Sequence, residues 1–250
     1  MSGASTVEPL GVGWALSTTL AVTRRNLATL TILGVVLAGV PALLPHLPGA
    51  SWSGLWSASE ARTFQSAAAF LSGLLQSLQI AAATPVVLAD RDGRRASLGT
   101  TFAFMLRCAL PVMALTLATD LGVVVGLVLL VIPGVVVFLN WLVAVPARAA
   151  EGPGVQRAMA RSRELVLGNR WRCFALFILT YLLPFGALSA AEAVIAAFGY
   201  GDGSLPDLAA VAVFTAAASV LYTVAMAVAF VRLRELRDGE DASGIEAVFA

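Results

Sequence analysis

The amino-acid sequence predicts an all-α protein, a polytopic membrane bundle of about six transmembrane helices. Three observations lead there. Charged residues make up only 12% of the chain and apolar types 59%, with a mean hydropathy of +0.87. A soluble domain carries roughly a quarter charged residues, so water cannot be what covers this surface. The apolar residues also cluster into segments that can cross a hydrocarbon core of ~30 Å, which takes about 20 helical residues. Finally, the arginines gather in alternate connections between those segments, as they do when every other connection faces the cytoplasm.

The first span is predicted at 27–47, closed by Pro45 and Pro48. The second, 62–89, ends at the charged run Asp90 to Arg95 and carries Gln65, Ser72, Gln76 and Gln79 on one helical face. Such a stripe suits hydrogen bonding to a neighbouring helix better than a pore lining. Residues 108–149 are too long for one helix and suit a hairpin, 108–131 and 134–149. Its best turn is Ile132-Pro133-Gly134, with Gly122 to Gly126 as the alternative. The fifth span is 171–198, kinked by Pro184, and the Ala-rich sixth is 208–231. Residues 1–234 thus form one membrane domain, and 235–250 a short cytoplasmic tail.

With the N-terminus inside, fifteen of the sixteen arginines fall on inner segments and only Arg62 lies outside. Both termini are therefore expected in the cytoplasm, and the membrane is expected to be a bacterial inner membrane. The first basic pair, Arg24-Arg25, comes too late for an ordinary signal peptide, so the first span is expected to be retained.

Ser17 to Arg25 is similar to Gly99 to Arg107, and Ser162 to Arg172 gives a third copy. The expected unit is an amphipathic helix, an arginine and a hairpin of two spans, repeated three times. The third amphipathic helix is the clearest. Gly152-Pro153-Gly154 precedes it, Gly168-Asn169 stops it, and Val155, Ala158, Met159, Ser162, Leu165 and Val166 share a face opposite Arg157, Arg161 and Arg163. It is expected to lie in the inner interface with its apolar side in lipid. Arg24, Arg25, Arg107, Arg157, Arg161, Arg163, Arg170 and Arg172 are then candidates for binding anionic headgroups, against the plainer alternative of orientation signals on elbow helices.

Ile132-Pro-Gly, Pro146-Ala-Arg-Ala-Ala-Glu-Gly152, Arg157-Ala-Met-Ala-Arg-Ser162 and Leu167-Gly-Asn-Arg-Trp171 together resemble the membrane domain of bacterial glycerophosphoryl diester phosphodiesterases and of related multi-pass proteins that have this domain alone. The likeness extends to the tail from Arg232 to Asp241. It covers nearly the whole chain, but its motifs are loose and mostly structural. In those phosphodiesterases the chemistry belongs to a separate barrel domain that this sequence lacks, so the resemblance implies no activity and transfers no catalytic residue.

The residues point the same way. His46 is the single histidine and lies between prolines, which leaves nothing for a Ser-His-Asp site or a His-based metal site. Cys108 and Cys173 are too few for a zinc site and read as apolar fillers. No phosphate-cradling or dinucleotide motif is present, and no cofactor is expected. A net charge of +1 argues against nucleic acid. Two carboxylates, Asp120 and Glu192, interrupt apolar segments. Charge in a bilayer is costly, so each is a candidate site unless it reaches the outer surface. Gln76, Gln79 and Asn140 are possible companions at that depth. The reading favoured by the sequence is a non-enzymatic protein that interacts with membrane lipids or scaffolds a cytoplasmic or membrane protein partner. The alternative is a small transporter or channel using Asp120. The two differ in one feature: a transporter needs a polar mid-membrane cavity joining Asp120 to Gln76, Gln79 or Asn140, whereas a scaffold needs a dry bundle with its polarity at the inner rim.

Overall fold

A computed structural model describes residues 10–44, 58–152, 154–197 and 205–249, and every regular element among them is helical. In chain order these are α1 (Val12–Arg25), α2 (Leu27–Ala42), α3 (Ala58–Arg91), α4 (Leu98–Leu129), α5 (Val131–Trp141), α6 (Ala144–Glu151), α7 (Val155–Val166), α8 (170–197) and α9 (Leu205–Phe249). Five stretches are long and apolar enough to cross a membrane: Arg62–Arg91, Leu98–Leu129, Val131–Glu151, Arg170–Ala191 and Leu208–Gly239. α1 and α2 qualify only as a pair bent by 96°, which makes a sixth span if the pair counts as one. The chain is thus an all-α bundle of the polytopic membrane type. His46 lies outside the described residues.

α9 is the axis of the bundle. Its segment from Tyr222 to Phe230 is buried throughout, with α1, α2 and α3 packed around it. Small residues permit the close approach. A Cβ placed on Gly34 of α2 would stand 2.6 Å from Val220 Cγ2 and 3.0 Å from the Ala216 carbonyl oxygen of α9. Without a hydrophobic drive between helices in lipid, this kind of backbone contact supplies much of the association energy. The helix does not stop at the membrane edge expected near Val231. It runs on to Phe249, and its turns just past the membrane carry Glu235 and Asp238 onto the arginine-rich end of the bundle.

The α4–α5 hairpin turns earlier than Ile132-Pro133-Gly134. The reversal is at Leu130, whose extended backbone (φ −167°, ψ 144°) separates the two helices. Pro133 falls in the first turn of α5, where a missing N–H costs no helical bond. Gly134 is used for contact rather than for turning. A Cβ there would lie 2.6 Å from Leu127 Cδ2 and 2.7 Å from Leu127 N.

Two spans share a local pattern, in a register four residues away from the one that aligns Arg25 with Arg172. Asn26 separates α1 from α2 with φ −115° and ψ 30°, and Asn169 precedes α8 with φ −117° and ψ 13°. Each of the two spans then contains a π-helical turn, Val35–Gly39 or Ile178–Leu182, at the same distance from its asparagine. Pro41 and Pro184 follow at matching positions. A proline cannot donate to the carbonyl four residues back, and a widened turn is one way for the helix to accommodate that. The second copy differs. No helix break occurs near Arg107, and the amphipathic stretch from Leu98 continues unbroken into the span as α4.

α7 has the expected bounds, ends before Gly168 in the left-handed region (φ 87°), and is strongly two-faced. Its apolar face, however, meets protein and not lipid. Ala158, Ser162, Leu165 and Val166 are buried against α5, α6 and α9, and Ser162 Oγ donates to the Asn140 carbonyl at 2.8 Å. The underside of the bundle is itself apolar, so the helix buries its stripe there. α7 is an elbow that docks one end of the α5–α6 segment.

Candidate functional site

Helical rise locates Asp120. On α4 it lies thirteen residues, or ~20 Å, beyond Arg107 and nine residues, or ~14 Å, before the Leu129 end. A bilayer core of ~30 Å would fit between those two markers, and Asp120 would then fall in its middle third. The early turn at Leu130 leaves Asp120 well away from the helix end.

At that depth a cavity of about 260 Å³ lies between five helices. α3 contributes Gly73, Gln76, Ser77 and Ile80, and α4 contributes Thr116, Thr119, Asp120 and Val123. α5 and the turn after it supply Phe138, Trp141 and Leu142, α8 supplies Phe177 and Tyr181, and α9 supplies Tyr222. Asp120 is exposed at the edge of this space. α4 and α8 do not pack closely against one another beside it. Among the described residues Asp120 has neither a hydrogen-bond donor nor a cationic partner. Asp90, Asp92, Glu151, Glu235 and Asp238 all pair with arginines at the bundle's end.

The polar groups around the space include acceptors and donors. Ser77, Thr116 and Thr119 each spend their hydroxyl proton on a carbonyl of their own helix, at 2.7, 3.0 and 2.9 Å. Toward the cavity they offer lone pairs only. Donors come from Gln76, whose buried Nε2 has no partner among the described residues, and from the Tyr181 and Tyr222 hydroxyls and the Trp141 indole N–H. The remaining wall is aromatic. Phe177 stacks on Tyr181 with centroids 5.3 Å apart, Tyr181 meets Tyr222 at 4.8 Å, and Phe138 meets Phe177 edge-on at 4.8 Å. Trp141 completes the wall by lying against the backbone of α4 at Gly122, where any Cβ would stand 2.6 Å from the indole Cη2. That glycine lets the indole approach α4 at the level of Asp120, two residues away in the chain.

Of the other intramembrane residues singled out from the sequence, Gln79 and Asn140 do not join the cavity. Gln79 is buried and donates from Nε2 to Ser219 Oγ of α9 at 3.2 Å, and its Oε1 has no partner among the described residues. Asn140 turns its Oδ1 into the protein, also without a partner among the described residues. The Gln stripe therefore divides: one member ties helices together and another lines the space. Glu192 lies on α8, but its side chain is outside the described set. The aromatic wall was missed in the sequence because its members come from three distant segments. One signal was available, since two of the three tyrosines sit at the middle of spans, away from the interfaces where tyrosine is usual.

The arginines divide as well. Arg25 forms two hydrogen bonds to Asp90, at 3.0 and 2.8 Å, and Asn26 adds a third to the same carboxylate. Arg91 pairs with Glu235, and Arg232 lies 5.2 Å above the Trp14 ring. Arg161 bridges Glu151 and Asp238, which Arg234 also contacts. Partial burial disfavours the Arg161 charge, but its carboxylate partners outweigh that and hold its pKa above the ordinary guanidinium value. Arg25 and Arg161 are thus committed to tying α1, α3, α6, α7 and α9 into one rim. Arg24, Arg107, Arg157, Arg163 and Arg172 are exposed, with no carboxylate partner among the described residues, and Arg170 has a buried Nε without one.

No family model, curated protein or solved structure matches the chain.

Proposed function

We propose that this protein is a non-enzymatic, multi-pass membrane protein of the small-transporter class that holds a small solute at Asp120 within the bilayer. The observation that carries this reading is the cavity that joins Asp120 to Gln76 at mid-membrane depth. A scaffold gains nothing from an unpaired carboxylate there, at a cost of roughly 2.5–3.5 kcal/mol on insertion scales. A water-filled site gives that carboxylate solvation and a use. The lipid-binding reading, first in order on sequence alone, is retained for the exposed arginines. Arg24, Arg107, Arg157, Arg163 and Arg172 present their charge at the rim, where each contributes about 1 kcal/mol toward an anionic surface. In this proposal the rim faces the cytoplasm of a bacterial cell and the α4–α5 turn faces out, following the arginine bias. The chain would be a relative of the phosphodiesterase membrane domain that its motifs resemble.

Two labelling experiments test it. With Cys108 and Cys173 replaced by Ser, a Thr119→Cys variant in membrane vesicles should react with a small, charged, water-soluble thiol reagent. Reaction only with membrane-permeant maleimides would mean that the cavity is closed to water, and the solute-site reading would fall. In intact cells an impermeant reagent should label Val131→Cys and spare Arg94→Cys; the reverse pattern would overturn the orientation.

A further inference from the structure

We infer that the solute is a small organic cation, an ammonium group bearing alkyl substituents, held by the Asp120 carboxylate within the aromatic wall. This deepens the solute-site reading and rests on it. Three features of the cavity select this class. First, its single charge is negative, and no Arg or His is among its lining residues. Second, Ser77, Thr116 and Thr119 have already committed their hydroxyl protons to backbone carbonyls, so they meet a ligand as acceptors. Donors are present as well, at Gln76, Trp141, Tyr181 and Tyr222, but the one charged group is the carboxylate, which repels an anion and attracts a cation. Third, Phe138, Trp141, Phe177, Tyr181 and Tyr222 supply apolar surface and ring faces. Ring faces attract a cation whose charge is spread under alkyl groups, and desolvation strengthens that attraction.

A bare metal ion would use the setting poorly. It requires several oxygen ligands in a tight shell. Here the one carboxylate stands at the edge of about 260 Å³ of space with aromatic carbon on much of the remaining wall. A ligand with an apolar body fills that volume and leaves its charge facing Asp120. The Gln76 Nε2, buried and unpartnered, adds a donor that a hydroxyl or carbonyl on the same ligand would satisfy.

The test uses the full chain purified in a non-ionic maltoside detergent, free of choline-headed lipid. The probes are choline, its uncharged isostere 3,3-dimethylbutan-1-ol, and sodium ion, measured by titration calorimetry and by fluorescence with a Trp141→Phe control. Choline should bind saturably, and the neutral isostere roughly tenfold or more weaker. Asp120→Asn should weaken choline by roughly tenfold or more while the protein stays monodisperse with its helical spectrum intact. Tyr181→Phe, which keeps the ring, should bind choline within about twofold of the parent, and Tyr181→Leu several-fold weaker. Equal binding of choline and its isostere would overturn the cation assignment, as would an Asp120→Asn variant with unchanged choline affinity. Asp120-dependent binding of sodium without choline would leave the solute site standing and remove the organic-cation class. If neither cation binds and the thiol of the Thr119→Cys variant is also inaccessible from water, both readings fail together.

Discussion

Replacing Gln79 with Met tests whether the division of the glutamine stripe is real. Gln79 is buried and, among the described residues, makes one hydrogen bond, from Nε2 to Ser219 Oγ at 3.2 Å, and leaves Oε1 without a partner. Met keeps the unbranched shape and nearly the same volume but removes the amide. The lost bond is worth about 0.6 kcal/mol in a membrane interior. Ser219 is not orphaned by the change, because its own hydroxyl still donates to the Ala216 carbonyl at 2.9 Å. Against that loss stands the buried, unsatisfied carbonyl, which costs about 1–3 kcal/mol. The second figure is the larger, so Gln79→Met should stabilise the bundle by about 0.5–2 kcal/mol. The assay is reversible unfolding in mixed micelles of maltoside and dodecyl sulfate, followed by circular dichroism, with choline binding measured in parallel. Binding should not change, since Gln79 does not line the cavity. A Met variant less stable than the parent would refute the reasoning, because it would mean that Oε1 has a partner worth more than the desolvation it relieves.

Two further predictions concern the joints. Ser162→Ala removes the 2.8 Å bond that holds α7 to the Asn140 carbonyl, at about 1 kcal/mol. Trypsin cleavage at Arg157 or Arg163 should accelerate roughly fivefold if α7 opens locally, and an unchanged rate would show that α7 is held by its apolar face alone. Gly134→Ala places a methyl 2.7 Å from the Leu127 backbone nitrogen, which cannot swing aside, and should cost about 1–3 kcal/mol in the same unfolding assay. Gly186→Ala on α8, where nothing lies within 4 Å of the new methyl, is the matched control and should be neutral or slightly stabilising. Equal effects of the two substitutions would refute the close α4–α5 contact.

Much of the architecture was legible because lipid imposes a one-dimensional rule. A span must be long, apolar and helical, so composition and length located 62–89, 108–131, 134–149, 171–198 and 208–231 close to helices that the structure contains. The elbow at α7 was legible too, from the glycines at its ends and the two-faced pattern between them. The α4–α5 turn was misplaced by a few residues, because a Pro-Gly pair serves equally well as a turn and as the first turn of a closely packed helix. The surroundings of α7 were also misjudged. An amphipathic stripe reports that a helix buries one face and is silent on whether lipid or protein receives it.

The sequence by itself determined the solvent, the helical class, the arginine-rich end and the presence of a carboxylate that apolar surroundings make costly. Those are properties of single segments, and a segment carries them wherever it packs. Only the tertiary structure decided which arginines are neutralised by Asp90, Glu151, Glu235 and Asp238, and which of two glutamines three residues apart ties helices or faces a cavity. It also decided that Phe138, Trp141, Phe177, Tyr181 and Tyr222 stand around Asp120. Each of these depends on the rotation of one helix about its axis relative to another. That rotation is set by close contacts such as Gly34 on Ala216, Gly122 under Trp141 and Gly134 on Leu127, which no single segment contains.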